Sequence, residues 1–389
     1  EARGVSPLVA LLCTGNDRGQ TNAAAALAHL ASSTDPNVPA AIADAGAISP
    51  LVKLLTGNHG PAAQEEAAGA LFALANHAGN RLSITDAGGI GPLVLLLGST
   101  NSGAREHAEG ALVRLSIENA NRELIIHKLV SMLHDKGNGG EEQAAAALAN
   151  LASDSADNRK SIVEAGGIAP LLSLLESTSP GARENAISAI SQLAHNATIQ
   201  RAIAEEGGVP LLANTLVASS SNVKEMISGS RLYSLSAFAV AQLARGNRDT
   251  QLALADAGAI PPLVAMLASP NVEMQAQAAG ALSGLSADNA DNQAAVARTG
   301  AIAPLCALVR EGAPSVKEQS ARALWSLATD NAANKATVAK LGGIEPLVGL
   351  LVSGGSDASL DSSVAALRSL AAKHAENAEA IAKMLVARL

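Results

Sequence analysis

The sequence predicts an all-α solenoid, in which short helical units repeat along the chain and each unit packs on the next. Two patterns support this prediction: a corner of glycine and proline recurs at a nearly constant spacing, and alanine and leucine follow helical periodicity between the corners. Composition adds a third observation. Aromatic residues make up 1% of the chain and apolar residues 48%, so we expect a core of leucine, isoleucine, valine and alanine.

The recurring corner places a glycine shortly before a proline, as in the segment 165–172, which reads Ala-Gly-Gly-Ile-Ala-Pro-Leu-Leu. Glycine readily adopts the left-handed conformation that ends a helix, and proline suits the first turn of the next helix. Each corner therefore predicts the end of one helix followed at once by the start of another. Similar corners stand at 45–52, 88–94, 207–212, 258–264, 300–305 and 342–348.

The spacing of the corner prolines makes the repeat quantitative. Pro50 follows Pro7 by 43 residues, Pro92 follows Pro50 by 42, and Pro304 follows Pro262 by 42. A period near 42 is typical of helical solenoids built from two or three helices per unit.

Two units depart from this period. Between Pro92 and Pro170 one proline is missing, and Lys128 occupies its place only 36 residues after Pro92. Because neither glycine nor proline interrupts this corner, we expect the first and second helices of that unit to be fused. The unit at 198–247 is longer than the others, with extra residues near 219–229. That segment is interpreted either as a surface loop or as a gate or phosphorylated segment beside a groove.

Each full unit reads as three helices. A short first helix follows an asparagine such as Asn80 or Asn158, which we interpret as a helix cap. The second helix begins at the corner proline, and a longer third helix carries alanine and leucine at helical spacing, as at 317–328. With these three helices and the Gly-Ala-Ile-x-Pro-Leu-Val corner, the chain resembles armadillo repeat proteins of the importin-alpha and beta-catenin type. The resemblance implies a right-handed superhelical solenoid whose third helices line one concave groove.

We expect a single armadillo array over residues 1–389. The chain begins without methionine partway through a unit and stops within a helix, so we interpret it as a portion of a longer protein. The expected repeats are a partial repeat at 1–35, full repeats at about 36–78, 79–119, 120–156 (with the fused helices), 157–197, 198–247, 248–290, 291–332 and 333–375, and a partial repeat at 376–389.

Several classes of function are disfavoured by the composition. The net charge is −8 without a long basic run, which argues against nucleic acid as a partner, and no apolar stretch reaches the ~20 residues of a membrane span. Cys13 and Cys306 are far apart in sequence, which fits free thiols in a cytoplasmic or nuclear compartment. His127 and His134 would lie about 10 Å apart along a helix, too far to share a metal ion. We predict no catalysis, metal or cofactor.

The resemblance directs attention to the third helices. In importin-alpha these helices end in Trp-x-x-x-Asn, where the asparagine binds a peptide backbone and the tryptophans form side-chain slots; here only Phe72 with Asn76 approaches that pair. A primary amide both donates and accepts a hydrogen bond, and each such bond adds only about 0.5–1.5 kcal/mol, so several in series are needed. Arg322 and Arg368 suit an acidic partner segment. The predicted groove residues are His29, Phe72, Asn76, Asn150, Gln192, Phe238, Gln242, Arg322, Trp325 and Arg368.

These observations predict a non-enzymatic, monomeric scaffold that binds other proteins through their extended or disordered segments. Two alternatives stay open. The array resembles the substrate-recognition part of a larger ubiquitin ligase, and it also resembles a cargo adaptor of the importin-alpha type. Flanking regions would discriminate between them, because a U-box favours the ligase and a basic importin-binding segment favours transport.

Overall fold

The computed structural model describes residues 4–56, 59–134, 140–217, 230–353 and 356–387, with the side chains of residues 230 and 353 left out of the description. The described residues form an all-α solenoid of helical repeats joined by short turns, which confirms the predicted fold class. The chain divides into two compact units, Glu1–Leu171 and Leu172–Leu389. The extra residues predicted near 219–229 lie outside the described residues.

The N-terminal unit holds the first eleven helices and the start of the twelfth. Its first three third helices pack side by side in chain order, α2 on α5 and α5 on α8. The helices are α1 (Val5–Thr14), α2 (Asp17–Ala31), α3 (Asn37–Asp44), α4 (Ile48–Thr56), α5 (Pro61–Leu74), α6 (Ala78–Asp86), α7 (Ile90–Leu96), α8 (Ser102–Leu115), α9 (Asn119–His134), α10 (Glu141–Asp154), α11 (Ala156–Glu164) and α12 (Ile168–Ser173).

The C-terminal unit continues the pattern after a short 3₁₀ helix at Leu174–Glu176. Its third helices also pack in order, α16 on α19, α19 on α22 and α22 on α25. The helices are α13 (Pro180–Leu193), α14 (Ala197–Glu205), α15 (Gly208–Val217), α16 (Ser230–Ala244), α17 (Arg248–Asp256), α18 (Ile260–Met266), α19 (Val272–Ser286), α20 (Ala290–Arg298), α21 (Ile302–Glu311), α22 (Pro314–Ala328), α23 (Ala332–Lys340), α24 (Ile344–Ser353), α25 (Asp357–Ala371) and α26 (Ala375–Val386).

The corner at Gly166 shows why glycine recurs there. Gly166 has φ 77°, in the left-handed region that a side chain disfavours, and its N–H donates to the carbonyl of Val163 at 2.9 Å. A Cβ on the next residue, Gly167, would lie 2.8 Å from the Cγ2 of Ile162. The first glycine therefore supplies the backbone conformation, and the second lets the chain pass close to the helix that it has just left.

The second helices begin before their prolines, which corrects one prediction. α12 begins at Ile168 and α21 at Ile302, so Pro170 and Pro304 are the third residues of their helices. The first four N–H groups of a helix have no partner within that helix. Proline is therefore tolerated two positions later than we predicted.

The first-helix asparagines are not caps, which corrects another prediction. The cap of α11 is Ser155, whose hydroxyl accepts from the N–H of Asn158 at 3.1 Å. Asn158 itself is buried, and its Nδ2 donates to the carbonyl of Leu151 at 2.7 Å, near the end of the preceding third helix. The same correction applies to Asn80, Asn121, Asn292 and Asn334, which lie within the first turn of their helices and donate to carbonyls of Leu74, Leu115, Leu285 and Leu327.

These buried amides also reach back to the preceding repeat, as Asn80 does in the N-terminal unit by donating to the carbonyl of Pro39 at 3.0 Å. In the C-terminal unit three asparagines do the same. The Nδ2 of Asn292 donates to the carbonyl of Gln251 at 3.0 Å. Asn334 donates to the carbonyl of Gln293 at 3.4 Å, and Asn377 to that of Lys335 at 3.3 Å. Buried polar groups are costly unless they are paired. The asparagine therefore ties each first helix both to the third helix and to the first helix of the preceding repeat.

One continuous helix, α9 (Asn119–His134), stands where the sequence predicts fused first and second helices. Its inner side is apolar, since Ile125, Leu129 and Leu133 are buried. Lys128, in the slot of the missing proline, is exposed. Without a glycine or proline, the backbone hydrogen bonds continue through the place where other repeats turn.

Candidate functional site

An open groove in the C-terminal unit crosses the third helices α16, α19 and α22. It has a volume of about 600 Å³. Four of the predicted residues line it together: Phe238, Gln242, Arg322 and Trp325. The fold therefore brings predicted side chains from two helices, 80 to 87 residues apart in the chain, into one groove.

The two predicted residues on α22 are accessible. Trp325 is 42% exposed, so a large part of its indole is accessible to a ligand. Arg322 is half-exposed, and its Nη2 lies 3.4 Å from the Oε1 of Glu318 on the same helix. Because this ion pair is solvated, it contributes little to stability. The guanidinium can therefore exchange Glu318 for an incoming group.

The predicted residues on α16 are more enclosed. Phe238 is half-buried, and Gln242 is only 6% exposed although its side chain lines the groove. The backbone carbonyl of Gln242 accepts from the Nε2 of Gln200 at 3.0 Å. Phe238 also borders a second hollow of about 450 Å³, together with Arg231 and Glu273. The groove thus extends along α16 and α19 past the phenyl ring.

Sequence reasoning missed several amides and hydroxyls of the groove. On α22, Ser315, Gln319 and Arg322 follow one another by steps of four and three residues, and Ser326 and Thr329 continue the same steps. On α19, Gln277 lines the groove, and its Nε2 donates to Glu273 at 2.6 Å. This helical stripe was the available signal.

The groove carries both signs of charge. Arg245 and Arg322 are balanced by Glu273 and Asp288 among the lining residues. Its floor is made of small residues, since a Cβ at Gly280 would lie 3.2 Å from the Oε1 of Gln319 and one at Gly284 would lie 3.3 Å from the carbonyl of Ala241. The small residues leave room for the main chain of a ligand. The mixed charges favour neither an acidic nor a basic ligand.

Phe72 and Asn76 form a cluster of a different kind in the N-terminal unit. The guanidinium of Arg114 lies 3.9 Å from the centroid of the Phe72 ring, and the same side chain donates from its Nε to the Oδ1 of Asn76. His107 stacks on Phe72 with ring centroids 6.2 Å apart. The pair that most resembles importin-alpha is thus already engaged by side chains of the next third helix.

The remaining predicted residues do not join the C-terminal groove. Asn150 is exposed on α10 and lines a small cleft of the N-terminal unit. His29 and Arg368 are exposed on α2 and α25, and Gln192 is half-buried on α13. Their role in binding stays a prediction.

A row of buried side chains, which the sequence reasoning missed, holds the groove helices together. The Nε2 of Gln251 donates to the carbonyls of Ala244, Gly284 and Ala287 at 2.9 to 3.1 Å, which joins the ends of α16 and α19. Gln293 does the same for α19 and α22. Each of these glutamines directly follows the buried residue in the first turn of its first helix. This regularity in the sequence could have revealed them.

The described residues offer little for catalysis or metal binding. Within them, no group of three or more His, Cys, Asp or Glu side chains is placed to hold a metal ion. Cys306 is buried, and this burial raises the pKa of its thiol to about 11, against a smaller lowering by Arg310. Across the same residues, no single helix has the length and apolar character needed to cross a membrane.

Comparison with known proteins yields a family model and several solved structures. The model of the Armadillo/beta-catenin-like repeat matches residues 1–32, 35–75, 155–195, 247–287 and 289–329. No curated protein sequence gives a significant match.

Two similar solved structures are engineered proteins. One is 32% identical with a TM-score of 0.75 and covers 98% of this chain and 92% of its own. The other is 30% identical with a TM-score of 0.58 and covers 63% of this chain and 96% of its own. A designed armadillo repeat protein, in complex with the peptide (KR)4, is 24% identical with a TM-score of 0.56 over 63% of this chain and 99% of its own. That last similarity concerns the fold alone.

Proposed function

Because this chain belongs to the Armadillo/beta-catenin-like repeat family, whose members are typically non-enzymatic scaffolds, we propose that it binds extended segments of other proteins along its third helices. The observation that carries the proposal is the C-terminal groove, where accessible amides and an exposed indole stand together. The designed armadillo repeat protein in complex with (KR)4 supports it by showing that an array of this fold can hold a peptide.

The mechanism relies on backbone pairing. Gln277 and Gln319 each present one donor and one acceptor to the groove, which matches the N–H and C=O of an extended peptide unit. Their present bonds, to Glu273 and Glu318, are made within one helix, and the first is exposed to solvent. A peptide can therefore exchange with these local partners. The indole of Trp325 adds apolar area for a side chain of the peptide. Binding then depends on area and main-chain hydrogen bonds, with no bond made or broken.

The groove does not discriminate between the two alternative functions, the substrate-recognition part of a ubiquitin ligase and a cargo adaptor of the importin-alpha type. Thr329, one turn after Trp325, donates its hydroxyl to the carbonyl of Trp325 at 2.9 Å, whereas the importin-alpha pattern has asparagine at that position. The ubiquitin-ligase and cargo-adaptor readings therefore stay predictions.

Selection of random twelve-residue peptides on the whole chain tests the proposal. We expect selected peptides to bind the triple variant Trp325→Ala, Gln277→Ala, Gln319→Ala at least about tenfold more weakly, since the loss of each hydrogen bond costs about 0.5–1.5 kcal/mol. Affinity is measured by fluorescence polarisation, and folding is checked by circular dichroism.

Leu341→Ala is the matched control, because Leu341 is 43% exposed, nearly as much as Trp325, and lies outside the groove. Peptides that bind the triple variant and the control with the same affinity as the unchanged protein would overturn the proposal.

A further inference from the structure

At the shortened repeat, two successive third helices, α8 and α10, stand apart. In the described part of the N-terminal unit, α5 packs against α8 and α9 packs against α10, but α8 and α10 make little direct contact. In the C-terminal unit, each of the pairs α16–α19, α19–α22 and α22–α25 is in close contact. In the chain, the continuous helix α9 lies between α8 and α10, where other repeats have two helices joined by a turn. The separation of α8 and α10 coincides with this continuous helix.

An apolar cleft occupies the space between α8 and α10. Its volume is about 60 Å³. A cavity needs about 10–15 Å³ to admit one water molecule, so the cleft has room for about four heavy atoms, the size of a leucine side chain. It is lined by Leu97, Glu109, Leu112, Val113, Ser116, Ile125, Leu129, Ala147, Asn150, Leu151 and Asp154.

An exposed apolar side chain of the lining, Val113, is 60% exposed. Ile117, four residues further along the chain, is also apolar and 59% exposed. Among the other lining residues, Leu112, Ile125 and Leu129 are buried. Exposed apolar surface that is continuous with an apolar cavity is a common mark of an interaction site. The apolar surface favours a ligand that brings an apolar side chain.

The charged residues of the lining are both acidic. Glu109 stands on α8 and Asp154 is the last residue of α10, so the two carboxylates approach the cleft from different helices. Neither forms an ion pair within the described residues. A ligand with positive charge on both sides of its apolar group complements this arrangement.

From the volume, the apolar lining and the two carboxylates, we propose that the cleft binds one branched aliphatic side chain of a partner protein segment in which basic residues flank that side chain. The site is separate from the C-terminal groove and does not depend on the function proposed for that groove.

The test uses the acetylated and amidated peptide Arg-Ser-Leu-Ser-Arg as a probe and the whole chain with labelled leucine and valine methyl groups. We expect saturable shifts of the NMR signals of Leu112, Val113 and Leu151. Replacing the leucine of the probe by serine should weaken binding at least about tenfold. Higher salt should weaken it further, because exposed charges are screened.

Variants of the protein test whether the probe binds in the cleft. Ala147→Phe, which fills the space, should abolish the shifts, and Val113→Ser, at an exposed position that the fold tolerates, should weaken binding at least about threefold. Glu109→Gln with Asp154→Asn should remove most of the salt dependence. Trp325→Ala, in the other groove, should leave the shifts of Leu112, Val113 and Leu151 unchanged.

Any of three results would overturn the proposal: equal binding of the leucine and serine probes, no saturable shift at these three residues, or shifts that persist in both Ala147→Phe and Val113→Ser. The Trp325→Ala arm keeps this failure distinct from a failure of the C-terminal groove, which the peptide selection addresses.

Discussion

In the N-terminal unit the residue after the buried first-helix asparagine is an arginine, whereas in most of the C-terminal unit the same position is a glutamine or lysine. Arg122 donates to the carbonyls of Ser116 and Ile117, which follow directly after α8, the third helix of the preceding repeat. Gln293 reaches carbonyls of two successive third helices instead.

This difference shows how the same kind of repeat can form two kinds of surface along its third helices. A short amide buried between the ends of two third helices holds them at a fixed spacing and leaves the groove side to other residues. In the N-terminal unit, by contrast, Arg114 covers Phe72, and α8 stands apart from α10. The C-terminal face is therefore an open polar groove, and the N-terminal face is partly closed by its own side chains and partly an apolar cleft.

Restoring a proline in the shortened repeat gives the largest expected effect. Lys128 lies inside α9, so Lys128→Pro removes a backbone hydrogen bond and introduces a clash with the preceding turn, and should lower the free energy of unfolding by about 3 kcal/mol or more. Urea unfolding monitored by circular dichroism measures it.

Two controls isolate the backbone effect. Lys128→Ala should be nearly neutral, because the side chain is exposed. Pro92→Ala, in the first turn of α7, should cost less than about 1 kcal/mol. If Lys128→Pro were as mild as these, the importance of a continuous α9 would be refuted.

The thiols give the next largest contrast. Cys13 is exposed and Cys306 is buried, and the pKa of the Cys306 thiol is raised from 9.0 to about 11. Below pH 9 this shift lowers the thiolate fraction of Cys306 about a hundredfold relative to an ordinary thiol. At pH 8 we expect a disulfide reagent to modify Cys13 quickly and Cys306 at least about a hundred times more slowly, as followed by mass spectrometry; similar rates would contradict the burial of Cys306.

A smaller effect tests the bridging glutamines directly. Gln293→Leu leaves the carbonyls of Ser286, Ser326 and Thr329 without their donor and should lower the free energy of unfolding by about 2 kcal/mol. Arg122→Leu should cost about 1 kcal/mol, since its carbonyls stay closer to solvent. Hydrogen exchange of α19 and α22 should rise only in the first variant. An equal cost in the two variants would remove the distinction between the units.

The repeat could be predicted from the sequence because its corners are dictated by local chemistry. Gly166 must be glycine at φ 77°, and the absence of such a residue near Lys128 predicts the uninterrupted α9. The sequence predicts Asn80 as a helix cap, but in the structure it is a buried amide. Asparagine favours both roles, and only packing decides between them.

The candidate site was predictable in part. Trp325 and Arg322 stand on one helical stripe, which the sequence shows, and Phe238 and Gln242 follow from the repeat alignment. Arg114 over Phe72 depends on the side-chain conformations of a neighbouring repeat, and the cleft beside Val113 depends on the separation of two helices. Neither can be read from the periodicity of a single helix.

The backward ties of Asn292, Asn334 and Asn377 give the C-terminal unit a direction. Each of these amides holds the backbone of the repeat before it. When the carboxyl end of the C-terminal unit is pulled, we expect repeats to separate in successive steps, beginning with the loss of the hydrogen bond from Asn377 to the carbonyl of Lys335.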